Sequence, residues 1–197
     1  MKSAIAILLL SLTGTAAIGQ TERDLQLDQA LARQDYAGIL TLLYPQASGG
    51  EAPSAAQQQQ GVEWLKRHVD AGHVPLAYLL SWELIDRAPA DAMRLNARAR
   101  TGLLLTASEC ATQVEPPLAA ALERIGLDAS LRFRSDNQAW MSALRDALSW
   151  HKQQPQHPSA AWFCGAQNLL PPAAAEAARE AVWQQHWQAS GGNPIQR

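Results

Sequence analysis

The residues best suited to chemistry in this 197-residue chain are its histidines, most of which fall into two groups. His68 and His73 stand on either side of a predicted helix end, where a histidine that hydrogen-bonds the backbone is the favoured interpretation and a metal ligand the alternative. His151 and His157 flank a proline-rich loop, with Asp146 upstream. Zinc needs three or four ligands that converge on one point. Neither group has that pattern, and we predict no metal site and no cofactor.

The common catalytic motifs are missing from the sequence. It has no Gly-x-Ser-x-Gly elbow, no Cys-x-x-Cys pair, no His-Glu-x-x-His helix and no glycine-rich phosphate loop. We therefore predict that no residue is catalytic. An enzyme that lacks a recognisable motif is kept as an alternative.

Two cysteines, Cys110 and Cys164, could form a disulfide. A lone pair is usually bonded in an oxidising compartment, whereas a cytosolic chain would keep two buried thiols. The N-terminus has a short positive start, an apolar run over residues 4–12 and an Ala17-Ile18-Gly19 stretch typical of a cleavage site. We predict a signal peptide over residues 1–19, a periplasmic or secreted protein, and a bond between the two cysteines.

The charge of the chain is close to balanced. Sixteen Lys and Arg residues oppose 18 Asp and Glu residues, for a net charge of −2, and loss of Lys2 with the signal peptide makes it one unit more negative. Neither sign is in enough excess to favour nucleic acid or an anionic membrane surface. No later segment has the roughly 18 consecutive apolar residues that a membrane span needs. The predicted partner is another protein.

Seven tryptophans are many for a chain of this size. Four lie on apolar faces and are predicted to pack in the core or between helices: Trp64, Trp82, Trp140 and Trp162. Trp183 and Trp187 lie four residues apart among glutamines. They predict either an exposed partner site or docking of a terminal helix onto the rest of the fold. Residues 132–134, Arg-Phe-Arg, are either a recognition loop or a solvated connector.

The stretch from residue 62 to residue 85 predicts two helices joined by a tight corner. Val62, Leu65 and Val69 share one face of the first helix. Gly72 stands where a left-handed residue would close that helix, and Pro75 stands where a first-turn proline would open the next. The second helix has almost no polar side, which is typical of a helix covered by neighbours all round.

The rest of the chain also follows helical spacing, with glycine and proline at the ends of the segments. No run of alternating β-branched residues predicts a strand. We expect one helical domain over residues 20–190 and a flexible tail over 191–197. The other helices are predicted at 22–34, 35–44, from Ser54 to about 71, 91–110, 118–125, from Ser135 through Leu148, 159–167 and 171–189. Ser54 is the predicted N-cap of its helix, and Ser135 with Gln138 forms a capping-box pattern.

Three similar motifs suggest an internal repeat. Pro75, Pro117 and Pro158 each open a Pro-x-Ala-x-x-apolar stretch, about 40 residues apart. Proline would fix the start of the second helix of each pair, and the alanine would let that helix approach its neighbour closely. Chance matches in an alanine-rich helical chain are the alternative.

One part of the chain resembles a known family. Trp64-Leu65, then Gly72-His73, then Ala77 are similar to the signature of the Sel-like branch of tetratricopeptide-type repeats, over residues 35–85. The resemblance implies an all-α fold of stacked helix pairs, a short α-solenoid. It also implies that the chain works by binding another protein.

The polar face of the first helix of such a pair is where we expect the partner to bind. Around the best-matched pair that face consists of Glu63, Lys66, Arg67 and Asp70, with Trp183 and Trp187 as the next candidates. The predicted function is that of an exported protein–protein interaction module. An immunity protein that neutralises a secreted antibacterial toxin is an alternative by analogy, and an enzyme without a recognisable motif is another.

Overall fold

The computed structural model describes residues 14–112, 136–154 and 159–191, together with residues 122, 124, 126 and 131–133. Apart from one isolated antiparallel bridge between Cys110 and Leu169, this part of the chain contains no strand, so the predicted all-α fold is confirmed. None of its helices is long and apolar enough to cross a membrane. The α-helices are α1 (Gly14–Ala32), α2 (Tyr36–Leu43), α3 (Ala55–Asp70), α4 (Val74–Leu84), α5 (Pro89–Ala107), α6 (Asn137–Gln153), α7 (Ala161–Cys164) and α8 (Pro172–Ala189), with 3-10 turns at Pro45–Ser48 and Ala166–Asn168.

The chain divides into two compact units, Met1–Trp64 and Leu65–Arg197, and the boundary lies within α3. The single domain expected over residues 20–190 stays a prediction, as do the signal peptide and the flexible tail. Most of the helix predicted at 118–125, and most of the segments 1–19 and 191–197, lie outside the described residues.

Arg23 and Trp64 connect the helices of the first unit. The Arg23 guanidinium donates to the backbone oxygens of Leu42, at 2.8 Å, and Gln57, at 3.0 Å. It thereby bonds a carbonyl in the last turn of α2, which has no partner within that helix. The buried indole N–H of Trp64 donates to Asp28 Oδ1 at 2.8 Å, which joins α3 to α1.

Side chains cap the starts of two helices. Ser54 and Gln57 bond reciprocally, Ser54 N to the Gln57 side chain at 2.8 Å and Gln57 N to Ser54 Oγ at 3.3 Å, so the predicted N-cap of α3 is confirmed. At α6 the cap is Asp136, which accepts from Ala139 N at 2.9 Å, rather than the predicted Ser135.

The corner between α3 and α4 has the predicted geometry. Gly72 has a φ of +98°, so the left-handed residue is confirmed, and Pro75 lies in the first turn of α4. The His73 amide donates back to the His68 carbonyl at 3.1 Å. This bond closes the end of α3 in the manner expected at a glycine-terminated helix.

In the second unit α5 packs against both α4 and α6. Gly102 on α5 is a point of close approach, because a Cβ there would lie 2.1 Å from Val74 Cγ1 and 2.9 Å from His151 Cε1. A buried polar contact also forms on α5, where Asn96 donates to the Gly126 carbonyl at 3.0 Å. Only a residue without a side chain allows three helices to meet at Gly102.

The C-terminal part is joined to the end of α5 by the predicted disulfide. Cys110 and Cys164 are bonded at an S–S distance of 2.07 Å, which confirms the pairing. Beside the disulfide, the backbones of Ala111 and Asn168 pair at 2.8 Å, as do those of Glu109 and Leu170 at 2.9 Å. We call the two backbone hydrogen bonds beside the disulfide the clip. The clip positions the start of α8, and α8 packs against α5 and α6.

Candidate functional site

Most residues of the predicted binding face of α3 are exposed to solvent. Arg67 and Asp70 are exposed and Lys66 is half-buried, all three in the second unit. Glu63 belongs to the first unit, is exposed, and accepts a hydrogen bond from the Gln59 side chain at 3.1 Å. These positions agree with the amphipathic pattern from which the face was predicted.

Asp70 also interacts with a group that the sequence did not connect with it. Burial lowers the pKa of Arg98 on α5, while the nearby carboxylates of Asp70 and Asp146 raise it and Arg94 lowers it further. The Arg98 guanidinium carbon lies 4.9 Å from the ring centre of Trp150 on α6, within the range of a cation–π interaction. The end of α3, the middle of α5 and α6 therefore meet around one arginine.

The histidines hold structural positions. His151 is 2 % exposed, and its Nε2 lies 2.9 Å from the Arg98 carbonyl oxygen, so the ring bonds the backbone of α5. The rings of His68 and His73 are 6.0 Å apart, and burial, followed by the proximity of His68, lowers the pKa of His73. Among the described residues no three His, Cys, Asp or Glu side chains are placed to hold a metal ion. His157 lies outside the described residues.

Two concavities in the second unit differ in size. One of about 20 Å³ lies beside Gly72, Gly102 and His151, which is room for about one water molecule. The other is an open groove of about 900 Å³ along α8, with the Glu109–Arg179 ion pair in its wall. The smaller concavity, which is partly open to solvent, is far below the roughly 300 Å³ or more of a typical ligand pocket.

The C-terminal tryptophans pack against the rest of the second unit. Trp183 is 5 % exposed, donates from its indole N–H to the Leu148 carbonyl at 2.9 Å, and stacks on half-buried Trp187 with ring centres 5.3 Å apart. The Lys152 ammonium lies 4.9 Å from the Trp183 ring centre. Of the two interpretations offered by the sequence, docking of the terminal helix describes Trp183.

Trp82 has the opposite environment to the one predicted. Trp64 and Trp140 are buried as expected, and Trp162 is partly so, but Trp82 is 43 % exposed and its assignment to the core was wrong. Residues 75–81 of α4 are all buried. Ser81 faces Asn96 on α5, and the next residue points about 100° further round the helix, away from that contact.

The turn that follows Trp82 and the end of α4 carries an ion pair. Asp86, in this turn, pairs with Arg132 at 3.0 Å. Leu131, beside it, is 56 % exposed, whereas Phe133 is buried and stacks on Trp140. We call Trp82, Asp86, Leu131 and Arg132 the Trp82 patch. Of this patch, the sequence indicated only residues 132–134, as a recognition loop or a solvated connector. Residue 134 lies outside the described residues.

No protein-family model, no curated protein and no solved structure matches this chain. The resemblance of residues 35–85 to Sel-like repeats therefore stays a prediction.

Proposed function

We propose that this chain is an exported protein–protein interaction module with no catalytic role of its own. The observation that carries the proposal is the 43 % exposure of Trp82, to which the Trp82 patch adds an ion-paired arginine and an exposed leucine. Trp and Arg are the residue types most enriched among those that dominate binding energy in protein interfaces. Trp82 is one of the largest side chains that the described part of the chain leaves open to solvent.

Two further features support the proposal. The Cys110–Cys164 disulfide favours an oxidising compartment, in line with the N-terminal segment that predicts export. The α3 face offers mixed charges on exposed Arg67 and Asp70, which suit a protein surface better than a nucleic acid. We propose Lys66, Arg67 and Asp70, which belong to the second unit, as a second area of contact with the partner, and Glu63 of the first unit stays a candidate from the sequence.

Site-specific photo-crosslinking tests the proposal in intact cells. A photoreactive phenylalanine analogue replaces Trp82, and a matched variant carries it at Leu25, which is 57 % exposed on α1. We expect a discrete crosslinked protein from position 82 and none from position 25. Reversing Lys66 and Arg67 together to glutamate should then reduce the yield of that adduct while the thermal midpoint changes little.

Controls separate specific binding from chance collisions. Trp82→Ala, co-expressed in excess without the photoreactive residue, should fail to reduce formation of the adduct, whereas the wild-type chain in the same excess should reduce it. Equal adduct patterns at positions 82 and 25 would show that the exposed tryptophan is not an interface. A small-molecule adduct in place of a protein, formed less when excess wild-type chain is present, would favour the enzyme alternative.

A further inference from the structure

The hydrogen bond that closes the end of α3 has a histidine at each of its two ends. The His73 amide donates to the His68 carbonyl at 3.1 Å, and the Gly72 amide donates to the Val69 carbonyl at 3.0 Å. With Gly72 left-handed, these two bonds form a Schellman motif. An apolar contact usually joins the side chains at the ends of the longer bond. Here the rings of His68 and His73 take its place, edge to face with centres 6.0 Å apart.

Two neutral imidazoles can form such a contact, but a proton on His73 is disfavoured at this position. The side chain as a whole is partly exposed, whereas its Nδ1 atom is buried and has no hydrogen-bond partner among the described residues. A neutral ring can leave Nδ1 without a proton, but a protonated ring has an N–H on both nitrogens. The N–H on Nδ1 would then be a buried donor without an acceptor.

The charges around the corner leave His68 as the one described group that acts on the charge of His73. Burial is the larger cause of the lowered pKa of His73, and the proximity of His68 is the other. α4 has no charged residue before Glu83, close to its far end. Other charged or titratable groups lie near the corner on the helices that border it, but none of them contributes to the lowered pKa. They are Asp70 on α3, Arg98 on α5, Asp146 and His151 on α6, and Arg179 on α8.

We infer that the paired imidazoles make the end of α3 a pH-sensitive helix stop, which is closed while His73 is neutral and opens when His73 gains a proton. Opening breaks the bond to the His68 carbonyl and frays the last turn of α3. That turn carries Arg67 and Asp70, which belong to the proposed second area of contact. Acid therefore weakens contact with a partner on this face. Only this consequence rests on the proposed function, and the helix stop itself does not.

An NMR titration of the histidine rings in the folded, disulfide-bonded chain is the first test. His73 should titrate below its ordinary pKa of about 6.5, so the corner is closed at neutral pH and opens as the pH falls through the lowered value. His68→Leu keeps an apolar contact and removes the neighbouring charge. It should raise the midpoint of His73 and leave it below about 6.5, since burial remains.

Amide hydrogen exchange measures the opening itself. The protection factor of the His73 amide should fall severalfold from about pH 7 to about pH 5. The Ala88 amide, which donates to the Leu84 carbonyl at the end of α4, is the matched control because no histidine closes that end. Its protection factor should change less than about twofold.

His73→Leu separates the helix stop from other effects of acid. Leucine can make the apolar contact of the motif and does not titrate, so the amide at position 73 should be protected equally at both pH values. His151 is kept in every variant. A fall in protection that persists in His73→Leu would assign the pH dependence to His151 or to general unfolding, and it would overturn the inference. A His73 ring that titrates at or above about 6.5, or a wild-type amide with unchanged protection, would overturn it as well.

Photo-crosslinking distinguishes the helix stop from the proposed function. A photoreactive phenylalanine analogue in place of Arg67 should give a protein adduct in cells at about pH 7 and severalfold less at about pH 5. With His73→Leu the yield should be the same at both. If the corner opens and the yield does not fall, the helix stop stands and its control of binding is overturned. If position 82 gives an adduct and position 67 gives none at either pH, control of binding is also overturned, and the protection factors alone decide the helix stop.

Discussion

The end of α4 and the middle of α8 each carry a tryptophan, and the two indoles are in opposite environments. Trp183 on α8 makes three contacts. Its N–H donates to the Leu148 carbonyl, its ring stacks on Trp187, and the Lys152 ammonium lies over the same ring. Trp82 on α4 is 43 % exposed, and no described residue accepts from its N–H. The difference shows which indole contributes to stability and which is available to a partner.

The physical basis of the difference lies in what covers each helix. α8 lies on α5 and α6, so a residue on its inner side is buried in the Leu105 and Leu148 cluster. α4 also packs along α5, but Trp82 points away from that contact at the last turn of the helix. Burial of a large side chain therefore follows from the neighbouring helix, and less from the polarity of adjacent residues.

The largest expected effect is on the buried side of this comparison. Trp183→Ala should destabilise the chain by about 3 to 5 kcal/mol, because it removes a buried indole and leaves the Leu148 carbonyl without its donor. Trp82→Ala is the matched control and should change stability by less than about 0.5 kcal/mol. Urea unfolding followed by circular dichroism measures both. Similar losses in the two variants would show that the two indoles do not differ as described.

Loss of the disulfide should have the next largest effect. Cys110→Ser with Cys164→Ser opens a link across 54 residues, for which the chain-entropy model gives on the order of 4 kcal/mol, so we expect a loss of about 2 to 4 kcal/mol. Amide hydrogen exchange should show the loss of protection concentrated near the start of α8, with the end of α4 least affected. Uniform loss over both helices would mean that the disulfide does not act through the clip beside it.

A smaller, pH-dependent effect is expected at the corner that begins α4. The folded state lowers the pKa of His73, mainly through burial, so below its unfolded value of about 6.5 the unfolded chain binds more protons. This contribution to stability is complete above about pH 6.5 and is lost as the pH falls through the lower folded-state pKa. His73→Asn should flatten the fall in thermal midpoint between neutral and mildly acid pH.

Several features could be predicted because local chemistry determines them. The corner follows from Gly72 and Pro75, which select their backbone angles without help from the rest of the fold. The cap of α3 follows from a serine and a glutamine three residues apart. The disulfide follows from the presence of two cysteines and a predicted route out of the cytosol.

The candidate sites were predicted less well, because they depend on contacts between distant segments. Arg98 and Trp150 are 52 residues apart, and nothing in their immediate neighbours indicates that they meet. Likewise Asp86 and Arg132 join segments separated by 46 residues, and their pairing places Leu131 beside the end of α4. The apolar sequence of α4 indicated burial, but it could not indicate which side of the helix α5 leaves uncovered.

By itself the sequence determined the all-α class and the corner at Gly72, because helical spacing and backbone preferences act over short range. It also determined which cysteines could pair, because two cysteines allow only one intramolecular pairing. The tertiary structure decided that Trp183 is buried, that Trp82 is exposed, and that Arg98 lies on Trp150 within the electrostatic influence of Asp70 and Asp146. Those outcomes depend on which helix surfaces lie against each other, and that is set by the packing of many side chains at once.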